Sequence, residues 1–229
     1  MPSRASRPSV AVIVPAGGVG ARLGRRTPKQ FLRITGGPIL VRTLSHFRRH
    51  PDVRAIVVAA PAQHLARTRR LLGTARDPRI AVVAGGATRQ DSVWNALQAA
   101  PAEADVVLVH DAVRPFIDRR LIDAVVSAAV EGGAAICALP IAETVKRVRA
   151  GVVDGTLDRS ELWAVQTPQA FRSALLREAH DKARRDGATA TDDAVLVERL
   201  GHPVRVVPGR SGNVKITTPD DLRRARGRR

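Results

Sequence analysis

The chain has 229 residues, 44% of them hydrophobic, a length that suits one large domain with a sizeable buried core. No apolar run approaches the roughly 20 residues that a membrane span needs, so no membrane association is expected. The formal charge of +17 invites a nucleic-acid reading, but only Lys29, Lys146, Lys182 and Lys215 are lysines, the other 34 basic residues are scattered arginines, and no Tyr, four Phe and two Trp leave few platforms for stacking bases.

In chain order, residues 1–9 carry Arg4 and Arg7 among prolines and serines and read as a frayed tail. Short apolar runs then alternate with amphipathic stretches. Strands are expected at Val10–Val14, Ala55–Ala60, Ile80–Val83, Asp105–His110 and Ala134–Leu139. Between them, Pro38–Arg48, Gln63–Leu72, Asp91–Ala100 and Arg119–Glu131 carry helical periodicity. The strand runs are rich in Val, Ile and Ala without alternation, as in strands covered on both faces. The alternation predicts an α/β fold with a doubly wound, mostly parallel, Rossmann-like sheet.

After Pro140 the rhythm breaks. Residues 141–163 hold short β-type runs punctuated by Gly151 and Gly155, which predicts a hairpin or arm outside the main sheet. Helices resume at Ser173–Arg185 and Asp192–Leu200, then a strand at Val204–Val207 leads to Asn213–Ile216, where Lys215, between Val214 and Ile216, is expected on a strand before a capped helix. Thr218-Pro219-Asp220-Asp221 has the chemistry of a helix start: a capping Thr, Pro in the first turn, and acids near the positive helix end. No linker or repeat divides the chain, so residues 10–229 are expected to form one domain with 141–163 as its arm. The lone Cys137 lies in the apolar run 134–139, reads as core, and fits a reducing, cytoplasmic setting.

In doubly wound sheets ligands bind beyond the carboxyl ends of the strands, here the loops at 15–30, 85–92, 110–116, 140–144 and 208–217. The first of these reads Pro15-Ala16-Gly17-Gly18-Val19-Gly20-Ala21-Arg22-Leu23, then Pro28-Lys29. It lacks the Gly-Lys-Ser/Thr of a P-loop. It also has Leu23 where a dinucleotide fingerprint wants a small residue. Backbone N–H groups of a glycine loop beside Arg22 and Lys29 suit nucleotidyl transfer, in which the α-phosphoryl group and the departing pyrophosphate gather negative charge. The competing reading is an ordinary strand–helix turn with surface cations.

This loop is followed by Gly85-Gly86-x-x-Arg89-x-x-Ser92-Val93, His110-Asp111-Ala112-x-Arg114-Pro115, Thr167-Pro168-Gln169, Thr191-Asp192-Asp193 and Asn213-x-Lys215-Ile216-Thr217. Each motif is weak alone. In this order, from about Val10 to Leu222, they resemble the 2-C-methyl-D-erythritol 4-phosphate cytidylyltransferase family of the non-mevalonate isoprenoid pathway.

The resemblance implies transfer of CMP from CTP to an alditol phosphate with Mg²⁺, in a homodimer that exchanges arms; since the chain stops near the end of the transferase, no fused downstream cyclase is expected. Ala16, Gly17, Gly18 and Gly20 would line the nucleotide's phosphates and ribose. Arg22 and Lys29 would stabilise charge at the α-phosphorus, and Gly86 and Ser92 would recognise cytosine. Ala87 departs from the polar residue often found there, which puts one contact to the base in doubt. Ser92 as a helix-cap hydroxyl is the competing reading. Asp111 would hold Mg²⁺; capping of the turn before Pro115 is its alternative. His110 reads as a packed strand-end residue rather than a base. Arg114, Thr144 and Thr191 would position the second substrate. Arg159, within Asp158-Arg159-x-x-Leu162-Trp163, and Lys215 would grip its phosphate, Arg159 from the partner subunit. A ribitol 5-phosphate cytidylyltransferase shares nearly all these motifs and is the nearest rival; a basic nucleic-acid-binding protein is the rival of another class.

Overall fold

The computed structural model describes residues 7–18 and 27–227. Eleven strands and seven α-helices follow one another among the described residues. They are β1 (Val10–Pro15), β2 (Arg33–Ile34), β3 (Gly37–Pro38), α1 (Ile39–Arg48), β4 (Val53–Ala60), α2 (Leu65–Leu72), β5 (Ile80–Ala84), α3 (Arg89–Ala99) and β6 (Val106–Val109). Then come α4 (Arg119–Gly132), β7 (Ala134–Pro140), β8 (Val145–Arg149), β9 (Val152–Leu157), β10 (Trp163–Arg172), α5 (Ser173–Arg185), α6 (Asp193–Glu198), β11 (Arg205–Pro208) and α7 (Pro219–Gly227).

Seven strands form one sheet in the order β11-β7-β10-β6-β1-β4-β5. β1 pairs in parallel with β4 and β6, β4 with β5, and β7 with β11. The alternation of side chains along each strand supplies both faces. Val10, Val12 and Val14 join Leu44 and Phe47 of α1 and Ile122 of α4 in one core. Ala11 and Ile13 join Val93 and Leu97 of α3 and Leu176 of α5 in the other. Both sets are essentially inaccessible to water. Burial on both sides is why these strands read as unbroken apolar runs.

Three features differ from the sequence reading. The sheet is mostly parallel as expected, but it includes a strand the sequence does not signal: β10, antiparallel between β6 and β7. Its sequence, broken by Gln166, Thr167, Pro168 and Gln169, carries no clear strand signal, and the register shifts across those residues. Residues 213–217 form an extended loop rather than a strand, tied to the 110–116 loop by the Ile216 N–H donating to the Val113 carbonyl at 2.9 Å. Finally, the part of the expected tail that is described is anchored. The Ser9 N–H donates to Asp105 at 2.7 Å, and Arg7 pairs with Asp52 at 3.5 Å.

The stretch after Pro140 forms the expected hairpin, a separate two-stranded sheet of β8 and β9. Lys146 and Thr156 face one another across it, with the ammonium donating to the hydroxyl at 2.6 Å. Val148, Val152 and Val153 on this hairpin are 55%, 70% and 58% exposed, and Trp163 and Val165 at the start of β10 are 41% and 42% exposed. That run of exposed apolar side chains has no equal elsewhere among the described residues. Cys137, by contrast, is fully buried, and burial pushes its thiol up to about 12, so it stays protonated core.

Candidate active site

A cavity of about 250 Å³ opens at the carboxyl ends of β1, β5 and β6, beside the point where strand order reverses around β1. One wall is the loop after β1, with Ala16, Gly17 and Gly18, backed by Lys29 and Gln30. The loop from β5 into α3, Gly86 to Ser92, forms the second wall. Asp111, Ala112, Val113 and Lys215 close the third.

The first wall is held by a residue that the sequence reading passed over. Gln30, buried at 1% exposure, donates its side-chain amide to the Ala16 carbonyl at 2.7 Å. This fixes the turn carrying Lys29 against the glycine loop. The Lys29 side chain packs directly against residue 18, where a Cβ would lie 2.9 Å from Lys29 Cε and push that chain aside. In the second wall the approach is closer still, because a Cβ on Gly86 would lie 2.2 Å from that of Asp91. A capping box sets this geometry. Thr88 accepts from the Asp91 N–H at 3.0 Å, and Asp91 accepts from the Thr88 N–H at 3.2 Å. Ser92 lies beneath the loop, donating its hydroxyl to the Thr88 carbonyl at 2.9 Å and accepting from the Gly86 N–H at 3.1 Å. In this state its hydroxyl braces the loop.

Asp111 is the electrostatic centre of the third wall. Lys215 Nζ lies 2.9 Å from it, Arg114 Nε 3.3 Å and Arg89 Nε 3.7 Å. Burial alone would push its carboxyl up, but the charges of Lys215, Arg89 and Arg114 outweigh that and hold it far below the usual carboxylate range. It is ionised at any working pH. A buried network supports it from below. The Asp111 N–H donates to Thr167 Oγ1 at 3.0 Å, and Arg114 Nη1 donates to the Asn213 carbonyl at 2.8 Å. Asn213 in turn donates to the Thr167 carbonyl at 2.8 Å. His110 is fully buried, with Nε2 3.0 Å from the Arg114 carbonyl and Nδ1 3.2 Å from the Thr167 hydroxyl. The carbonyl can only accept, so Nε2 carries the proton and Nδ1 accepts. Burial lowers the pKa of His110 to about 4, so it is neutral and packed at the strand end, as its sequence context predicts.

Of the residues singled out in the sequence, Ala16, Gly17, Gly18, Lys29, Gly86, Ser92, Asp111 and Lys215 therefore converge on one cavity. Arg114 sits beneath it with its guanidinium engaged by Asp111 and Asn213. Thr144 and Arg159 are exposed at the ends of the hairpin, and Thr191 is exposed just before α6; none of the three lines the cavity. Gly20 and Arg22 lie outside the described residues. The sequence reading gave no role to Arg89, Gln30, Asn213 or Asp193, although Arg89, Asn213 and Asp193 stand within its motifs.

Lys29, Lys215 and Arg89 against the single carboxylate of Asp111 make the cavity electropositive, suited to a polyphosphate. A sequence profile of the 2-C-methyl-D-erythritol 4-phosphate cytidylyltransferases matches residues 10–227. The chain belongs to that family. Similar cytidylyltransferases of this name come from Symbiobacterium thermophilum, 49% identical over 218 residues covering 94% of this chain and 91% of that protein, and from Syntrophus aciditrophicus, 45% identical over 219 residues covering 94% of each. The crystal structure of the Thermus thermophilus cytidylyltransferase superposes with a TM-score of 0.79 at 40% identity, covering 95% of this chain and 97% of that one. The Francisella tularensis structure gives 0.80 at 34%, covering 95% and 98%. The fold, including the antiparallel insertion in the sheet, is therefore the family's α/β fold.

A second cluster of titratable groups lies apart from the cavity, before β4 and on α4. His50, Asp52 and Asp123 bring one ligand atom each within 4.8 Å of one another. Here His50 Nε2 is 2.8 Å from Asp123, while Arg7 lies 3.5 Å from Asp52 and Arg119 lies 3.4 Å from Asp123. These partners make the cluster a polar brace between the end of α1, β4 and α4.

Proposed function

We propose that the chain transfers the CMP part of CTP to 2-C-methyl-D-erythritol 4-phosphate, releasing pyrophosphate and forming the CDP-linked methylerythritol needed for isoprenoid precursors. The observation that carries this reading is the convergence of the glycine loop, Lys29, Asp111 and Lys215 on one cavity in a chain of this family. The acceptor's phosphate oxygen forms a bond to the α-phosphorus of CTP as the bond from that phosphorus to the pyrophosphate oxygen breaks. The nucleophile is already an anion, so no general base is required, and neutral, buried His110 offers none.

The backbone of Ala16 to Gly18 would cradle the triphosphate, and Lys29, with Arg22 from the adjoining segment, would neutralise charge at the α-phosphorus and on the leaving pyrophosphate. The loop at Gly86 and Ser92 would face cytosine. Lys215 would hold the acceptor's phosphate, with Thr144 and Arg159 supplied by the hairpin of a partner subunit, while Thr191 and the buried Arg114 would shape the acceptor side. Asp111 suits Mg²⁺: an ionised carboxylate on the cavity wall, which with waters and substrate phosphates satisfies an ion that takes one or two protein carboxylates. The ion would offset the charge of the substrate phosphates.

The direct test measures pyrophosphate release from each of the four nucleoside triphosphates with methylerythritol phosphate and ribitol 5-phosphate. Turnover confined to CTP with methylerythritol phosphate is expected; preference for ribitol 5-phosphate would reassign the acceptor. For the metal, Asp111→Asn should raise the Mg²⁺ concentration for half-maximal rate by about tenfold or more. A titration of wild type and variant checks this, and an unshifted midpoint would remove Asp111 from the metal's ligands.

A further inference from the structure

We infer that Arg89 is a substrate-contacting cation of this site, acting on the acceptor's phosphate, and that Asp193 and His180 are positioning residues that hold it there. The inference rests on the cytidylyltransferase reading and adds to it a residue chain from α3 through α6 to α5.

Arg89 is the first residue of α3 and lines the cavity. Its guanidinium is gripped at one corner, with Nη1 2.8 Å from Asp193 Oδ2, and approaches Asp111 Oδ1 at a longer 3.7 Å through Nε. Asp193, the first residue of α6, is 1% exposed, and its second carboxylate oxygen accepts from His180 Nε2 at 3.0 Å. His180, on α5, is fully buried and lies against Trp94 with ring centroids 6.2 Å apart. The chain Arg89–Asp193–His180 thus runs from the cavity wall into the core between α3, α5 and α6.

Placing an ionised carboxylate at full burial is costly, and an apolar pair of similar volume would commonly be as stable or more so. What the pair accomplishes is geometric. A guanidinium carries five N–H donors in a rigid plane, so fixing one corner fixes the direction of the rest. With Nη1 held by Asp193, the guanidinium spans the gap between the Gly86–Ser92 wall and the wall of Asp111 and Lys215. The short contact to Asp193 is the anchor. The long contact to Asp111 is the one a phosphate or a metal-bound phosphate can replace. Lys215 sits on the same carboxylate at 2.9 Å, so Arg89 and Lys215 present their donors to the same side of the cavity. A planar fork beside a point charge suits a phosphate that must stay oriented while it attacks. Arg89 and Lys215 share the Asp111 carboxylate, and Lys215 is the residue given to the acceptor's phosphate, which assigns Arg89 to the same group.

The test is a double-mutant cycle on Arg89→Gln and Asp193→Asn in the full chain, with 2-C-methyl-D-erythritol 4-phosphate as acceptor and separate titrations of acceptor and CTP. Arg89→Gln should lower kcat/KM for the acceptor by about 100-fold, with KM for CTP within about twofold. Asp193→Asn should lower the acceptor value by about tenfold, and the double variant should match Arg89→Gln alone, because Asp193 acts through Arg89. Arg89→Lys should not rescue, since one ammonium cannot hold both partners. If Asp193→Asn melts below the assay temperature, His180→Gln loosens the same carboxylate without baring a charge and takes its place in the cycle. Wild-type acceptor kinetics in Arg89→Gln, or losses that multiply in the double variant, would overturn the inference. A wild-type chain that releases no pyrophosphate with any acceptor would instead sink the functional reading beneath it.

Discussion

Replacing Lys29 by alanine is expected to lower kcat by about 10²- to 10³-fold while changing the affinity for CTP far less, as for other preorganised charge stabilisers. The reason lies in where Lys29 is held. Its turn is pinned by Gln30 to the Ala16 carbonyl, so the ammonium meets the glycine loop at a fixed height. Negative charge on the bridging and departing oxygens grows only as the bond to pyrophosphate breaks, so a rigid cation there favours the transition state over bound CTP. The expected loss corresponds to about 2.7–4 kcal/mol of barrier. Lys29→Arg should not restore the rate. Lys29 Cε packs against the bare Cα of Gly18, and a broad, planar guanidinium would not place its charge where the compact ammonium stands. Single-turnover rates and CTP binding measured separately decide the matter. A loss of CTP affinity matching the whole loss in kcat/KM, with kcat preserved, would mean that Lys29 only grips the ground state.

The same wall shows how far a sequence carries. The parallel strands were legible because each is a run of apolar residues buried on both faces, and Ser173–Arg185 was legible to the residue because its apolar side is regular. Loops ending such strands are where chemistry accumulates, so chain order brings the loops of Lys29, Gly86, Asp111 and Lys215 to one end of the sheet, and the family resemblance gives those residues their roles. β10 was not legible. Its central Gln-Thr-Pro-Gln is stabilised by tertiary partners that no local pattern shows: Asp111 and His110 on Thr167, Asn213 on Gln166, and Asp192 on Gln169. Lys215 shows the opposite error. Its neighbours Val214 and Ile216 look like strand residues, yet Ile216 is buried through packing with Leu32 and Leu222 rather than through a sheet. Arg89 and Asp193 were hidden for a different reason. One arginine among 34 carries no signal until its partner is found, and the partner lies 104 residues along the chain.

The hairpin leads to the prediction with the sharpest contrast between outcomes. Val148, Val152 and Val153 stand mostly exposed on a two-stranded sheet too small to bury its own side chains, next to exposed Trp163 and Val165. A two-fold mate would cover such a surface with a copy of itself. Arg159 lies at the base of that hairpin, outside the cavity of its own chain. If each site borrows Arg159 from the partner and takes Lys29 from its own chain, Arg159→Ala and Lys29→Ala homodimers should each be nearly inactive. Expressing the two variants together with different affinity tags, and purifying through both, gives heterodimers. In each of these, one site gathers both defects and the other gathers none. The heterodimer should then recover about half of the wild-type activity per dimer, far above either parent. Were Arg159 to act within its own chain, both heterodimer sites would keep one defect and activity would stay at the level of the parents. Dimer mass by light scattering and turnover of the doubly tagged fraction separate these outcomes, and a folded, dimeric, inactive heterodimer would rule out the shared site.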